Sequence, residues 1–386
     1  MTGKLVRNTH PTCVLLCTVR QPENSFSQII KLINQIHIMS LLNQFNIEPE
    51  ISFEQQNKIG VLLLNLGTPT QAKPEAVKPF LRKFLSDQRV VELPKAIWYP
   101  ILHGIVLPLR PKVVAENYER VWLKEGSPLQ VFTEKQTAGL RERLPDTVFI
   151  EYAMTYGEPS VPQMVAKLKA AGVGRLLVVP LYPQYAASCT AAAVDKVLAE
   201  LAKQRNQMSV RTVSRFFNHE GYVNALANQI RNYRAQHGAG DKLMFSFHGI
   251  PLRQHKLGDP YPHECHATAK LVAEKLGLSQ NDYIVSFQSQ FGKDKWIEPS
   301  TQALFKSLPK QGVKKLDVIC PGFVSDCLET MEEIAIAGRE EFHEAGGEAY
   351  NYIPCLNANA EWLDALTDLV KENLLGWLKY DLVDLK

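Results

Sequence analysis

Ile59-Gly60-Val61-Leu62-Leu63-Leu64-Asn65-Leu66-Gly67 decides the fold. It is an apolar run of strand length without polar alternation, closed by Gly67 and Pro69. A strand with no polar face is buried on both sides, and such strands belong to parallel sheets covered by helices. Outward from it the chain keeps one rhythm. A helix is expected over 74–85, another over 115–123 and a third from Gly126-Ser127-Pro128 to about 144. Strand 148–156 follows, then helix 159–170, strand 175–181, a helix capped by Ser188 running to about 203, and strand 210–216. The second half repeats the pattern with strands 242–247, 283–287, 315–320 and 348–353. Its helices are 220–237, 262–276, 299–308, 326–346 and 361–378. Strands alternating with helices predict an α/β fold with parallel sheets. Four strands per half predict two similar domains, 56–217 and 218–386, with a cleft between them. Residues 1–55 lack the pattern. They read as an N-terminal extension, partly disordered, or as the product of an upstream start, with Met39 as the alternative initiator.

The 386 residues are 45% hydrophobic and 22% charged, an ordinary globular composition. A net charge of +3 and the lack of a long basic run give no nucleic-acid footprint. The seven cysteines (13, 17, 189, 265, 320, 327, 355) contain no CxxC pair, against a zinc ribbon or thioredoxin-type motif. An odd count without a secretory signal points to a reducing cytoplasm. No apolar run reaches spanning length. Leu93 to Leu109, LPKAIWYPILHGIVLPL, comes nearest, but Lys95, three prolines and a glycine interrupt it. It reads either as a core-packed loop and short helix, or as an apolar lip making weak peripheral contact with a membrane surface.

In open α/β sheets ligands sit at the carboxyl ends of the strands. Two strand ends carry chemistry. Met244-Phe245-Ser246-Phe247-His248-Gly249-Ile250-Pro251 presents His248 at a strand mouth, where Gly249 and Pro251 turn the chain away. Cys320-Pro321-Gly322-Phe323-Val324-Ser325-Asp326-Cys327-Leu328-Glu329 places Asp326 and Glu329 where a helix begins. A histidine facing a carboxylate can hold a metal or move protons. The plainer reading of Asp326-x-x-Glu329 is a helix cap worth about 1 kcal/mol. At ~100° per residue, Glu329, Glu333 and Glu340 share one helix face. Tyr182-Pro183-Gln184-Tyr185, Tyr156, Trp296, Phe323 and the lip could line a flat apolar pocket suited to a large planar ring. No P-loop, GxGxxG or HExxH is present.

The pieces LLLNLGTP, FLSDQRVVELP, EGSPL, YPQY, SFHGIP, GDPYP, FQSQFGKDKWIEP and CPGFVSDCLETMEEI, in this order between about 59 and 359, resemble the ferrochelatase family, its bacterial form most closely. The resemblance implies two Rossmann-like domains around a porphyrin cleft. It implies insertion of Fe²⁺ into protoporphyrin IX to give protohaem. His248 matches the active-site histidine, Glu329 the carboxylate facing it and Asp326 the acid beside that carboxylate, with His248 and Glu329 as metal-holding residues. Leu66, Phe84, Arg110, Tyr118, Ser127, Tyr156, Tyr182, Trp296 and Phe323 fall along the cleft. There are departures. Cys327 stands where animal relatives have histidine, Ala337 interrupts the acidic row, and the C-terminal cysteine cluster of the animal enzymes is missing. No iron–sulfur cluster and no permanently bound cofactor are expected. A monomer acting in the cytoplasm on protoporphyrin IX and ferrous iron is the reading. A cobalt or nickel chelatase, or a non-catalytic tetrapyrrole or metal carrier, are the alternatives.

Overall fold

The core strand of the first half is β1 (Lys58–Asn65), whose residues 61–64 are wholly buried. It pairs in parallel with β2 (Val148–Met154) on one side and β3 (Val173–Pro180) on the other. β4 (Ser209–Thr212) adds to β3, so the order is β2-β1-β3-β4. The second half has β5 (Lys242–His248), β6 (Tyr283–Gln288), β7 (Lys315–Ile319) and β8 (Ala349–Tyr352) in the equivalent order β6-β5-β7-β8. These are facts of a computed structural model that describes residues 58–292 and 294–378. The segment 1–55, read above as an extension, lies outside the described residues. In each sheet the strand order reverses, between β1 and β3 and between β5 and β7, and the crossovers leave these points in opposite senses, the place where open α/β sheets bind ligands.

The helices of the first half are α1 (Pro74–Leu85), α2 (Lys95–Ile101), α3 (Leu107–Val121), α4 (Pro128–Arg141), α5 (Val161–Ala170) and α6 (Ala192–Ala202). Those of the second half are α7 (Glu220–His237), α8 (Leu252–Lys256), α9 (Tyr261–Leu276), α10 (Thr301–Ser307), α11 (Leu328–Thr330), α12 (Arg339–Glu344) and α13 (Ala360–Asn373). Two expected boundaries differ for physical reasons. Ser188 does not cap its helix; it lies inside a wide first turn, Ala187–Ala191, that precedes α6. The Ala187 amide is instead taken, at 2.8 Å, by Asp259 of the other half. α13 stops five residues before 378, because Gly376 turns the chain at φ 77°, a left-handed angle that glycine adopts without steric cost.

The stretch 95–121 is nearly continuous helix: α2 passes through a wide turn, Leu102–Val106, into α3. Prolines 100 and 108 withhold amides from this helix, and the Leu107 N–H reaches back five residues to the Leu102 carbonyl. The stretch is two-sided. Leu102, Leu107, Ala115 and Tyr118 are buried against Phe80, Leu81 and Tyr156, with Trp98, Val106 and Val114 half-buried beside them. Ile97, Ile101, Ile105, Leu109 and Val113, four residues apart, stay exposed. One face is therefore core, as the first reading had it, and the other is an exposed apolar surface. Among the described residues no helix is long and apolar enough to cross a membrane.

Candidate active site

β5 pairs with β7 only as far as Phe245↔Ile319, but with β6 as far as His248↔Gln288. Past Phe245 the ladder with β7 ends, because the chain there leaves as the 320–327 loop. His248 is the last residue of β5, three residues beyond that end. Its Nδ1 lies 2.6 Å from the Gly249 carbonyl. A carbonyl only accepts, so Nδ1 carries the proton and the Nε2 lone pair is left for other chemistry. The turn after it admits only glycine: a Cβ on Gly249 would stand 2.8 Å from the Gln288 carbonyl oxygen and 3.1 Å from the Trp296 ring. Trp296 is held there by a bridge to Pro251 and by Nε1 donating to the Phe291 carbonyl, 2.9 Å.

Glu329 stands in the first turn of α11, where the helix dipole favours a negative charge. It does not cap this helix. The capping pair is Cys327 and Thr330, whose Oγ1 accepts the Cys327 N–H at 2.9 Å. Glu329 is fixed through its backbone, since its carbonyl accepts from Gln288 Nε2, 2.9 Å. Gln288 in turn accepts from Ser246 Oγ at 2.8 Å. The side chain of Glu329 is half-buried, and its charge acts on Tyr118, Cys327 and Glu333.

Glu333 completes the constellation, and the sequence reading gave it no role beyond the acidic row. Ser289 donates to it twice, from N at 2.7 Å and from Oγ at 2.5 Å, and Gln302 donates at 2.5 Å. Burial pushes its pKa up; the Ser289 hydrogen bonds and His248 pull it down, Glu329 pushes it further up, and it ends above the usual carboxylate range. Ser289 sits at φ 61°, a left-handed conformation that costs a non-glycine residue about 1 kcal/mol. A strained residue that aims two donors at one buried carboxylate is typical of functional sites. The only hint in the sequence was polar Gln288-Ser289 closing an otherwise apolar strand.

Asp326 is placed behind this group, not within it. Its Oδ1 accepts from Thr330 Oγ1 (3.0 Å), Tyr352 OH and Cys355 N (3.3 Å), and its Oδ2 from Asn357 Nδ2 (2.6 Å). With four protein donors and almost no exposure, its carboxylate holds the loop in shape. Glu340 also leaves the expected row. It shares Arg120 with Glu332, at 3.3 and 2.7 Å. The cause is the wide helical stretch Met331–Gly338 between α11 and α12, where i→i+5 turns advance less than ~100° per residue, so the residues beyond it shift to another face.

The expected cleft residues divide into groups. Leu66, Phe84, Tyr118 and Tyr156 share one cluster with Leu328. Phe84 and Tyr156 pack at 5.1 Å between ring centroids. Tyr156 OH donates to Asp87 (2.9 Å), and Lys196 lies 4.8 Å above its ring. Tyr182 and Phe323 lie half-buried against the cores of their own halves. Ser127 is buried, and its Oγ caps α4 by accepting the Gln130 N–H, 3.3 Å. Arg110 stands exposed on α3. The motif around Tyr182 is gripped by the other half: Glu264 accepts the Tyr185 N–H (2.7 Å), and Gln184 donates to Thr268 (2.9 Å). YPQY thus meets α9, the helix that begins within GDPYP, in the other half of the chain.

Two parallel α/β lobes with a histidine and two carboxylates at the switch point define a chelatase-like architecture. Among solved structures, SirB from Bacillus subtilis with Fe3+ shares the fold at a TM-score of 0.52 and 11% identity, covering 83% of this chain and 96% of that one. The ferrochelatase family model matches residues 58–374. Curated ferrochelatases of Neisseria meningitidis (serogroup C) and Neisseria gonorrhoeae are each 62% identical over 330 residues, 86% of this chain and 98% of theirs. That of Aromatoleum aromaticum is 49% identical over 336 residues, 86% of this chain and 92% of its own. The chain belongs to the ferrochelatase family.

Proposed function

We propose that this protein inserts Fe²⁺ into protoporphyrin IX, releasing two protons and yielding protohaem. The carrying observation is the end of β5, where the His248 Nδ1 is engaged by the Gly249 carbonyl and the imidazole is coupled electrostatically to Glu333, which is in turn coupled to Glu329. A free-base porphyrin keeps two pyrrole N–H protons in a flat ring. Metal enters only when those protons leave and the nitrogens tilt toward it. Walls that hold the ring bent spend binding energy on that distortion, and the Phe84–Tyr156 pair, Tyr118 and Leu66 supply an apolar wall.

The division of labour follows from the hydrogen bonds. His248 Nε2 takes a pyrrole proton, and the resulting imidazolium is stabilised by the negative charge opposite. Glu333, held by three donors, is the acceptor to which that charge is coupled. Glu329 has a side chain not committed to capping and serves as the oxygen ligand that delivers iron. Oxygen and nitrogen ligands suit a metal that must be released readily. Asp326 acts as a positioning residue.

The lip supports a further part of this reading, peripheral contact with a membrane. Its exposed face carries five apolar side chains, and Leu93 to Ala115 contains Lys95, His103, Arg110 and Lys112 but no acidic residue. That combination suits an anionic lipid surface near the cleft that exchanges apolar substrate and product.

Anaerobic turnover with protoporphyrin IX and Fe²⁺ tests the proposal, with Co²⁺, Ni²⁺ and sirohydrochlorin as competitors. His248→Ala should abolish insertion while porphyrin binding stays measurable, and Glu329→Gln should lower turnover at least tenfold, the effect of about 1.4 kcal/mol of lost transition-state stabilisation. Wild-type protein that binds porphyrin without inserting iron would make it a carrier. Preference for Co²⁺ or Ni²⁺ would make it a different chelatase.

A further inference from the structure

We propose that Gln136, a residue of the first domain far in sequence from the active-site loop, is a positioning residue for metal insertion, because it sets the carboxylate-bearing loop of the second domain against the porphyrin wall of the first. Gln136 lies on α4 and is wholly buried. Its Nε2 reaches across the domain boundary to three acceptors: Asn357 O at 2.6 Å, Ser325 Oγ at 3.0 Å and Val324 O at 3.4 Å. Two of these are carbonyls, so the amide nitrogen has to face them. Its Oε1 is left without a hydrogen-bond partner. An unpaired buried acceptor is unfavourable, and a residue that serves packing alone would be better replaced by an apolar one of the same size.

The contacts lead directly to the site. Asn357 sits at φ 52° and holds Asp326 from both sides. Its Nδ2 donates to Oδ2 (2.6 Å), and its Oδ1 accepts the Asp326 N–H (2.8 Å). Asp326 holds Thr330, which holds the Cys327 amide, and Glu329 lies between those two residues. On the same face of α4, one turn earlier, Thr133 Oγ1 accepts from Asn65 Nδ2 at 3.0 Å, and Asn65 Oδ1 accepts the Leu66 N–H at 2.9 Å. One helix therefore grips the carboxyl end of β1 through Thr133 and the Asp326 loop through Gln136. The two grips are three residues apart, about 4.5 Å along the axis. This spacing fixes how far Glu329 stands from the wall built on Leu66 and Tyr118.

The inference rests on the iron-insertion reading. Its test is steady-state insertion of Fe²⁺ into protoporphyrin IX by the full-length protein carrying Gln136→Leu, Asn357→Ala, or both. A misplacement of about 1 Å costs on the order of a hundredfold in rate, so Gln136→Leu should lower kcat about ten- to hundredfold. The KM for porphyrin should stay within about threefold, since the apolar walls are intact. The double variant should be no slower than the slower single one, because both break the same chain of contacts. Arg143→Ala is the control: it removes the Arg143–Asp364 pair (2.8 Å), which joins the chain two residues past α4 to the second half. It should lower Tm and leave kcat unchanged. If Gln136→Leu does not fold, Gln136→Met carries the same expectations. A kcat within about twofold of wild type, or a loss matched by Arg143→Ala at equal Tm, overturns the positioning role. A wild type that inserts no iron overturns the underlying reading instead.

Discussion

Replacing Ser289 by alanine removes one hydrogen bond from Glu333 and nothing else of comparable size. The Ser289 N–H still donates at 2.7 Å and Gln302 at 2.5 Å; only the 2.5 Å Oγ bond is lost. A hydrogen bond to a charged group contributes about 1.5–3 kcal/mol. At about 1.4 kcal/mol per pH unit, its loss raises the Glu333 pKa by about 1–2 pH units above a value that burial has already raised. The working site needs Glu333 ionised, so the acidic limb of kcat/KM should move to higher pH by that amount, with the alkaline plateau little changed. Stability should respond in a consistent sense. A carboxyl whose folded pKa lies above its unfolded one stabilises the fold fully below the unfolded value, and that contribution is lost as pH rises through the folded value. Ser289→Ala should therefore lose stability against wild type on the alkaline side and match it in acid. Ser289→Gly makes the same electrostatic change but relieves the φ 61° strain, so it should be about 1 kcal/mol more stable than the alanine variant. The assay is anaerobic insertion between pH 5.5 and 9, on the order of the range spanned by such shifts, beside thermal melts at each pH. An acidic limb that moves by less than about 0.3 pH units in both variants would refute the role given to Glu333.

Asp87→Asn should destabilise the protein near pH 7 by about 1–2 kcal/mol. Burial alone would raise the Asp87 pKa, but the Arg89 amide, Tyr156 and Lys196 outweigh it and leave it lowered. Such a group stabilises the fold above its unfolded pKa and loses that effect as pH falls through the folded one, so the difference in melting temperature should close below about pH 4. The protein should sediment with phosphatidylcholine vesicles only when phosphatidylglycerol is included and should wash off in high salt. Ile105→Asp with Leu109→Asp should abolish binding while insertion in detergent persists, and resistance to carbonate extraction would contradict peripheral contact. Anaerobically purified protein should contain no stoichiometric acid-labile sulfide, because the cysteine spacing does not match a cluster; its presence would show that reading wrong.

Much of the fold was legible because parallel strands buried on both faces leave unbroken apolar runs. Val61 to Leu64 and Leu176 to Val179 could only be interior, and the turn residues after each run marked its carboxyl end. His248 was legible as the residue closing a strand-length run, Met244 to Phe247, that only Ser246 interrupts, fixed by a glycine that nothing larger can replace. The carboxylates were harder, because a helical wheel at ~100° per residue assumes one kind of helix. Met331–Gly338 winds more widely, so Glu333 turns toward His248 while Glu340 swings out to Arg120. The residues that hold the site were not legible at all. Ser289, Gln302 and Gln136 are common polar residues whose partners lie 44, 31 and 221 positions away in the chain. Ser289 and Gln302 reach Glu333 through the winding of the second lobe, and Gln136 reaches Asn357 only because the two lobes meet.

Asp326 and Glu329 show why spacing alone could not assign these roles. Both were acids beside one helix start, and Asp-x-x-Glu matches a capping box in pattern. The fold separates them by where the helix begins. Because Cys327 is the residue before α11 and Thr330 takes its amide, neither acid is needed as a cap. Asp326 falls two residues before the helix, where Tyr352, Cys355, Thr330 and Asn357 close on it. Glu329 falls one residue inside the turn, with its backbone carbonyl engaged by Gln288 and its carboxylate met by the Cys327 thiol. An acid surrounded by four donors has no lone pair to offer an incoming cation, whereas one met by a single thiol does. Substitution should separate them in kind. Asp326→Asn should lower melting temperature and turnover together, since an amide presents an N–H to donors that require an acceptor. Glu329→Gln should lower turnover with the melting temperature within about 2 °C of wild type, the shift that follows from ~0.5 kcal/mol at a half-exposed side chain whose thiol partner an amide oxygen can still accept from. Equal thermal losses in the two variants would place Glu329 in the framework with Asp326.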